Sequence, residues 1–145
     1  MTRGGKTLNP ASPHLSVMSV KITRIGGEAF RAEADGFEVL SGRIDEQTPP
    51  SGMSPGRLLA ASLGLCSGIH ASWFLKRNGI EASTIQIKVD AMNDKEPSRA
   101  AELSVEIRVG ANLSPKQVEG LMAEMRRCYV GNTLRSAPRL TYTIK

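Results

Sequence analysis

The order of its segments predicts an α+β protein. Three observations carry this. Strand-like alternation comes in runs, with three candidate strands before residue 45 and two between residues 83 and 109. Each run contains a hairpin signal and no helical crossover. Between the two runs lies one long segment, residues 55–77, with helical start and stop signals and almost no charge. Those features argue against a doubly wound parallel sheet and for antiparallel sheets with a long buried central helix.

Residues 17–23 (Val-Met-Ser-Val-Lys-Ile-Thr) alternate with a period near two, as a half-buried strand does. Gly26-Gly27 is a turn signal, and Asp35-Gly36 between residues 28–33 and 37–42 is the strongest hairpin signal in the chain. Thr48-Pro49-Pro50-Ser51-Gly52 reads as a loop. Ser54 is then a good N-cap, Pro55 suits the first helical position, and Gly79 follows Lys76 and Arg77 as a stop. The helix so bounded would be roughly 35 Å long. From Leu58 to Leu75 it has no Asp, Glu, Lys or Arg, so it is expected to be buried on all sides. Gly64, Ser67, Gly68, Ala71 and Ser72 fill little space, so a neighbouring backbone is expected to come close. Residues 83–92 and the series Leu103, Val105, Ile107, Val109 alternate cleanly and are joined by the polar segment 93–98, a second hairpin. Ser114-Pro115-Lys116-Gln117 starts a further helix with a capping box, and Val118, Leu121, Met122 and Met125 give it one apolar face. Cys128 is read as the end of that helix, and residues 140–144 (Leu-Thr-Tyr-Thr-Ile) as a closing strand.

The chain has 145 residues, enough for one domain with a real core, and residues 17–145 are read as that domain. Residues 1–16 are read as a flexible tail, neither signal peptide nor anchor. No apolar run is expected to reach the roughly 20 residues of a membrane span. A cytoplasmic protein is expected. The net charge is +5, but Lys and Arg are scattered among acids, and three Phe, two Tyr and one Trp offer no platform for bases. Nucleic-acid binding is therefore not expected. Two cysteines cannot frame a secreted disulfide domain, and without a Cys-x-x-Cys or a His pair a zinc site lacks ligands. In a reducing compartment such a pair is catalytic, sensing or simply buried.

Cys66 sits mid-helix, and Cys128 directly follows Arg126 and Arg127. A reactive Cys66 must be held as thiolate, for which a guanidinium is the natural partner; the bland alternative is a small core hydrophobe. His70, one turn on, could serve Cys66 as a base or could be a hydrogen-bonded core histidine. Trp73, Phe74, Met122 and Met125 read as core, the two aromatics alternatively as walls of a pocket at a dimer interface.

The stretches Ser54-Pro55, Leu58-Leu59-Ala60-Ala61 and Leu63-Gly64-Leu65-Cys66, with Cys128-Tyr129-Val130-Gly131-Asn132-Thr133-Leu134 at this separation, resemble the OsmC/Ohr superfamily over about residues 17–145. The resemblance implies an OsmC-like fold and an intertwined homodimer with two long helices packed at its centre. It implies a thiol peroxidase for organic hydroperoxides, or less efficiently hydrogen peroxide. Cys66 would be the peroxidatic thiol, Cys128 the resolving thiol, and a dithiol, often lipoyl-linked, the reductant. No cofactor is implied. Two positions depart from the family pattern. Gly56 stands where the peroxidases carry a Glu after the helix-starting proline, and Glu28 follows the Gly26-Gly27 turn where the Ohr branch carries its Arg. Arg43 is the nearest match to the OsmC-branch Arg, with Arg57 the second choice. The chain thus resembles a divergent OsmC-like branch. The alternative is a dimer of this fold that binds a small apolar ligand, or senses thiol state, without turnover.

Overall fold

The computed structural model describes residues 16–145. The expected tail, residues 1–16, lies outside them but for Ser16. The chain divides after Met53 into two units, each described by itself.

The first unit is a meander of β1 (Lys21–Gly26), β2 (Ala29–Ala34) and β3 (Phe37–Ser41), all neighbours antiparallel. Lys21 pairs with Glu33 and Phe30 with Ser41, with a bulge between Arg24 and Gly26. The β2–β3 turn is Asp35-Gly36, both at positive φ (52° and 81°), the twist that two-residue hairpins favour. At Gly27 a Cβ would run into the Ile44 carbonyl, so the segment 43–44 can lie directly on this turn; the Glu28 N–H donates to the Arg43 carbonyl at 2.9 Å. The Asp45 carboxylate accepts the N–H groups of Thr48 (2.7 Å) and Gln47 (3.0 Å), closing the loop after Arg43. Those bonds, Thr48 first, hold the Asp45 carboxyl below its usual range.

The second unit opens with α1 (Pro55–Arg77), 23 residues, as the sequence predicts. Ser54 Oγ accepts the Arg57 N–H at 3.4 Å, and Gly79, at φ +63°, follows the Asn78 cap. β4 (Ile85–Lys95) and β5 (Ser98–Val109) form a long antiparallel hairpin with Ile87 opposite Ile107 and Val89 opposite Val105. These four turn toward the helices, while Lys88, Asp90 and Glu106 face outward, as period two requires. The small residues of α1 admit side chains here rather than the expected neighbouring backbone. A Cβ on Gly64 would lie 3.1 Å from Val89 and one on Gly68 3.2 Å from Ile87, so the close approach is by β4 side chains. α2 (Pro115–Met125) starts with the expected capping box. The Gln117 N–H donates to Ser114 Oγ (3.2 Å), and Gln117 Oε1 accepts the Ser114 N–H (2.8 Å). Ala71, Leu121 and Met125 form the buried core, flanked by Phe74, Val105, Ile107, Val109 and Leu113.

Four expectations need correction. Cys128 does not end α2. That helix stops at Met125, the chain extends at Cys128 (φ −64°, ψ 142°), and Cys128 is the N-cap of α3 (Tyr129–Arg135). Residues 140–144 form no strand: their alternation is intact, but neither sheet offers them a partner, and Leu140, Tyr142 and Ile144 are exposed. Within this chain α1 is buried along one stripe only, Leu63, Ser67, Ala71 and Leu75, whereas Leu59, Leu65, Ile69 and Trp73 are exposed. Packing on β4, α2 and α3 covers one side of a cylinder, and an uncharged second side shows only that water is not its intended neighbour. Finally, α1 is long and apolar enough to cross a membrane by length and composition, because Gly, Ser and Ala interrupt its large apolar residues without adding charge. Its contacts with β4 and α2 make it a core helix of this unit.

Candidate active site

α1 turns about 100° per residue, so Leu59, Ser62, Cys66, Ile69 and Trp73 share one strip of its surface. Cys66 is partly buried in the middle of that strip and is a free thiol. Its accessible neighbours Leu59, Ile69 and Trp73 are 41%, 52% and 50% exposed, so the thiol lies in an apolar face open to other molecules.

Cys128 is 1% exposed, and its Sγ accepts the Gly131 N–H at 3.1 Å. It lies in the wall of a cavity of about 370 Å³ between α1, β5, α2 and α3. Leu63, Ser67, Leu103 and Met125 line it on the apolar side, and Arg126 and Arg135 supply charge. That volume is near the lower end of the ~300–1,000 Å³ of ligand pockets. Ser67, next in sequence to Cys66, is part of this wall, so α1 presents Cys66 and the cavity on adjoining strips. The two arginines before Cys128 are exposed; Arg127 leans toward Glu124 at 3.9 Å. Arg135 is the guanidinium drawn toward the cysteine's turn, 3.4 Å from where a Gly131 Cβ would be, and it donates to Asn132 Oδ1 at 2.7 Å.

His70 has a partner the sequence could not name. Its Nδ1 lies 3.0 Å from Glu124 Oε1, and Arg77 donates to Glu124 Oε2 at 2.7 Å. Glu124 is 9% exposed, and the bond from His70, followed by that from Arg77, holds its carboxyl below the usual range against the opposing effect of burial. An ionised carboxylate only accepts hydrogen bonds, so His70 Nδ1 carries a hydrogen. The Trp73 ring meets the imidazole edge to face, centroids 4.9 Å apart. The hydrogen bond that the core-histidine reading of His70 asks for is present, at a part-buried position. The signal for Glu124 was indirect: a histidine on an uncharged helix needs a polar partner on whatever packs there.

Arg43, Glu28 and Gly56 are exposed, as is Arg57 in the first turn of α1. Arg43 and Glu28 belong to the first unit, the two cysteines to the second. Among the described residues no cluster of three His, Cys, Asp or Glu side chains could hold a metal ion.

The family model described as OsmC-like protein matches residues 48–143, which contain α1, both cysteines and the β4–β5 hairpin. The chain belongs to the OsmC-like protein family. Solved structures share the fold. The OsmC-like protein of Mycoplasma pneumoniae superposes with a TM-score of 0.72 at 16% identity, covering 84% of this chain and 89% of that one. A hypothetical protein from Aquifex aeolicus VF5 gives 0.71 at 20% identity, covering 85% and 90%. An organic hydroperoxide resistance protein OsmC from Legionella pneumophila gives 0.56 at 19% identity, covering 84% and 91%. No curated protein matches the chain in sequence. The mixed architecture, antiparallel sheets with a long central helix, is that of the OsmC-like structures.

Proposed function

We propose that this OsmC-like protein is a thiol peroxidase that reduces organic hydroperoxides or hydrogen peroxide, with Cys66 as peroxidatic and Cys128 as resolving thiol. The observation that carries the reading is the setting of Cys66: a free, partly buried thiol on one strip of α1 with exposed Leu59, Ile69 and Trp73, a surface suited to an alkyl chain. Family membership supports it, since the family includes a protein named for organic hydroperoxide resistance. The Cys66 thiolate attacks one peroxide oxygen. The S–O bond forms, the O–O bond breaks, and the departing alkoxide takes a proton and leaves as alcohol. Cys66 is then a sulfenic acid. The Cys128 thiol attacks that sulfur, an S–S bond forms and water leaves. A dithiol, of lipoyl type, reduces the disulfide by exchange and is itself oxidised to a disulfide. By the resemblance alone, Arg43 is proposed as the guanidinium that holds the thiolate. The exposed face of α1 supports a homodimer, and a cytoplasmic setting would keep both thiols reduced.

A second reading draws on Gly56 and on the cavity beside Cys128: an OsmC-fold dimer that binds a small apolar ligand, or senses thiol state, without turnover. One experiment separates the two. Reduced protein is mixed with cumene hydroperoxide, and free thiols are counted before and after. Loss of two thiols per chain with an intramolecular Cys66–Cys128 disulfide supports the peroxidase. Cys66→Ser should abolish consumption, and Cys128→Ser should allow one turnover and then stall or over-oxidise. Thiols unchanged under excess peroxide would overturn it.

A further inference from the structure

The peroxidase chemistry above leaves one proton unassigned. The Cys66 proton must go somewhere before attack, and the departing alkoxide must receive one. We infer that His70 does both, with Glu124 as its positioning residue; this rests on the peroxidase reading for its substrate.

The argument is local. Cys66 and His70 are four residues apart on one helix, and side chains at that spacing are neighbours, about 5–6 Å apart at Cβ. Helical side chains lean toward the N-terminus, the direction in which Cys66 lies from His70. Its Nδ1 is committed to Glu124 at 3.0 Å, and the carboxylate, as acceptor, keeps the hydrogen on that nitrogen. In the neutral ring Nε2 then carries a lone pair, the form a base requires. Among the described residues the hydrogen bond of His70 is to Glu124, through Nδ1, and Nε2 is left for another partner. Glu124 is fixed from its other oxygen by Arg77, with Arg127 at 3.9 Å, and Trp73 packs on the ring. A buried carboxylate, a histidine in a set tautomer and a thiol one turn away form the sequence acid–base–nucleophile in which the third group orients the base. The cost of burying Glu124 is hard to explain as packing alone, since a shape-matched apolar residue would serve an interface as well.

In the step, Cys66 S–H gives its proton to His70 Nε2, and the imidazolium is stabilised by Glu124. The thiolate takes the distal O–H of the hydroperoxide, forming S–O and breaking O–O. The imidazolium then returns the proton to the alkoxide. The products are Cys66 sulfenic acid and alcohol. Sulfur has lost two electrons, the peroxide has gained them, and His70 is neutral again.

The test uses the full chain in a Cys128→Ser background, so that only Cys66 reports. Two rates are measured, sulfenate formation with cumene hydroperoxide and alkylation by iodoacetamide, with and without added imidazole. General acid–base catalysis contributes about 10²–10⁴-fold, so His70→Ala should slow sulfenate formation at least ~100-fold, and imidazole should restore part of it. Glu124→Gln should fall between the two. His70→Asn covers the case in which His70→Ala does not fold, and it too should be slow. A merely structural histidine would give losses that imidazole does not rescue, and that result, or wild-type rates in His70→Ala and His70→Asn, overturns the inference. If the parent protein reduces no hydroperoxide, the peroxidase reading has failed, and the alkylation arm still decides: slowed, imidazole-rescued alkylation supports the Cys66–His70 pairing, and unchanged alkylation overturns it.

Discussion

Gly120→Ala tests the contact between α1 and α2 on which the His70–Glu124 bond depends. Gly120 is in the middle of α2, and a Cβ there would stand 2.8 Å from Phe74 Cε2 and 2.9 Å from Cζ. Two effects oppose one another. Alanine is better than glycine in a helix interior by about 1 kcal/mol. Forcing a methyl against an aromatic ring packed on the core costs about 1–3 kcal/mol, because Phe74 must leave its rotamer or the helices must part. The balance is a loss of about 0–2 kcal/mol, or a few degrees in Tm at about 2–4 °C per kcal/mol for a chain of this size. The decisive quantity is the coupling. In a Phe74→Leu background the obstructing ring edge is gone, so Gly120→Ala should turn neutral or stabilising, with an interaction term of about 1–3 kcal/mol between the sites. The assay is thermal unfolding by circular dichroism at one fixed protein concentration for the wild type, both single variants and the double. A rise in Tm for Gly120→Ala in the wild-type background would refute the reasoning, since propensity would then act unopposed and the helices would not be in this contact.

Two further outcomes are expected. Glu124 has its carboxyl lowered by His70 and Arg77 from an ordinary 4.5, so its folded form binds a proton less readily than the unfolded chain. Its stabilisation is therefore complete above that value and lost as pH falls through the lower folded value, and the Tm gap between wild type and Glu124→Gln should narrow below about pH 4.5. A gap that stays constant or widens in acid would refute this. Ser114→Ala removes half of the capping box of α2 and should cost about 1 kcal/mol, read as a Tm loss of a few degrees; an unchanged Tm would show that the helix start is held by its packing alone.

Local chemistry was legible in the sequence because it acts over a few residues. Ser54-Pro55 and Asn78-Gly79 bound α1, Ser114 and Gln117 start α2, and Asp35-Gly36 supplies the two positive-φ positions of the β2–β3 turn. Alternation marked β4 and β5 because one face of each is half-buried against helices. The same rule misled at residues 140–144, where the pattern is present and no strand partner is, for alternation records what a segment could bury and not what it pairs with. At Cys128 the helical reading ran too far: a change of chain direction over residues 126–128 ends α2 and starts α3, a helix the sequence reading did not include.

The sequence by itself determined the order of elements from β1 to α2, the placement of Cys66 mid-helix, and enough of the motif around both cysteines to find the family. Those are properties of neighbours along the chain. Only the tertiary structure decided which stripe of α1 is buried, that Cys128 lines a cavity with Ser67 and Arg135, and that Glu124, 54 positions from His70, is its partner. The physical reason is that α1 has no charge pattern to choose a face: with uniformly apolar or small residues, its orientation is set by what packs on it, and that is decided by β4, α2 and α3 together.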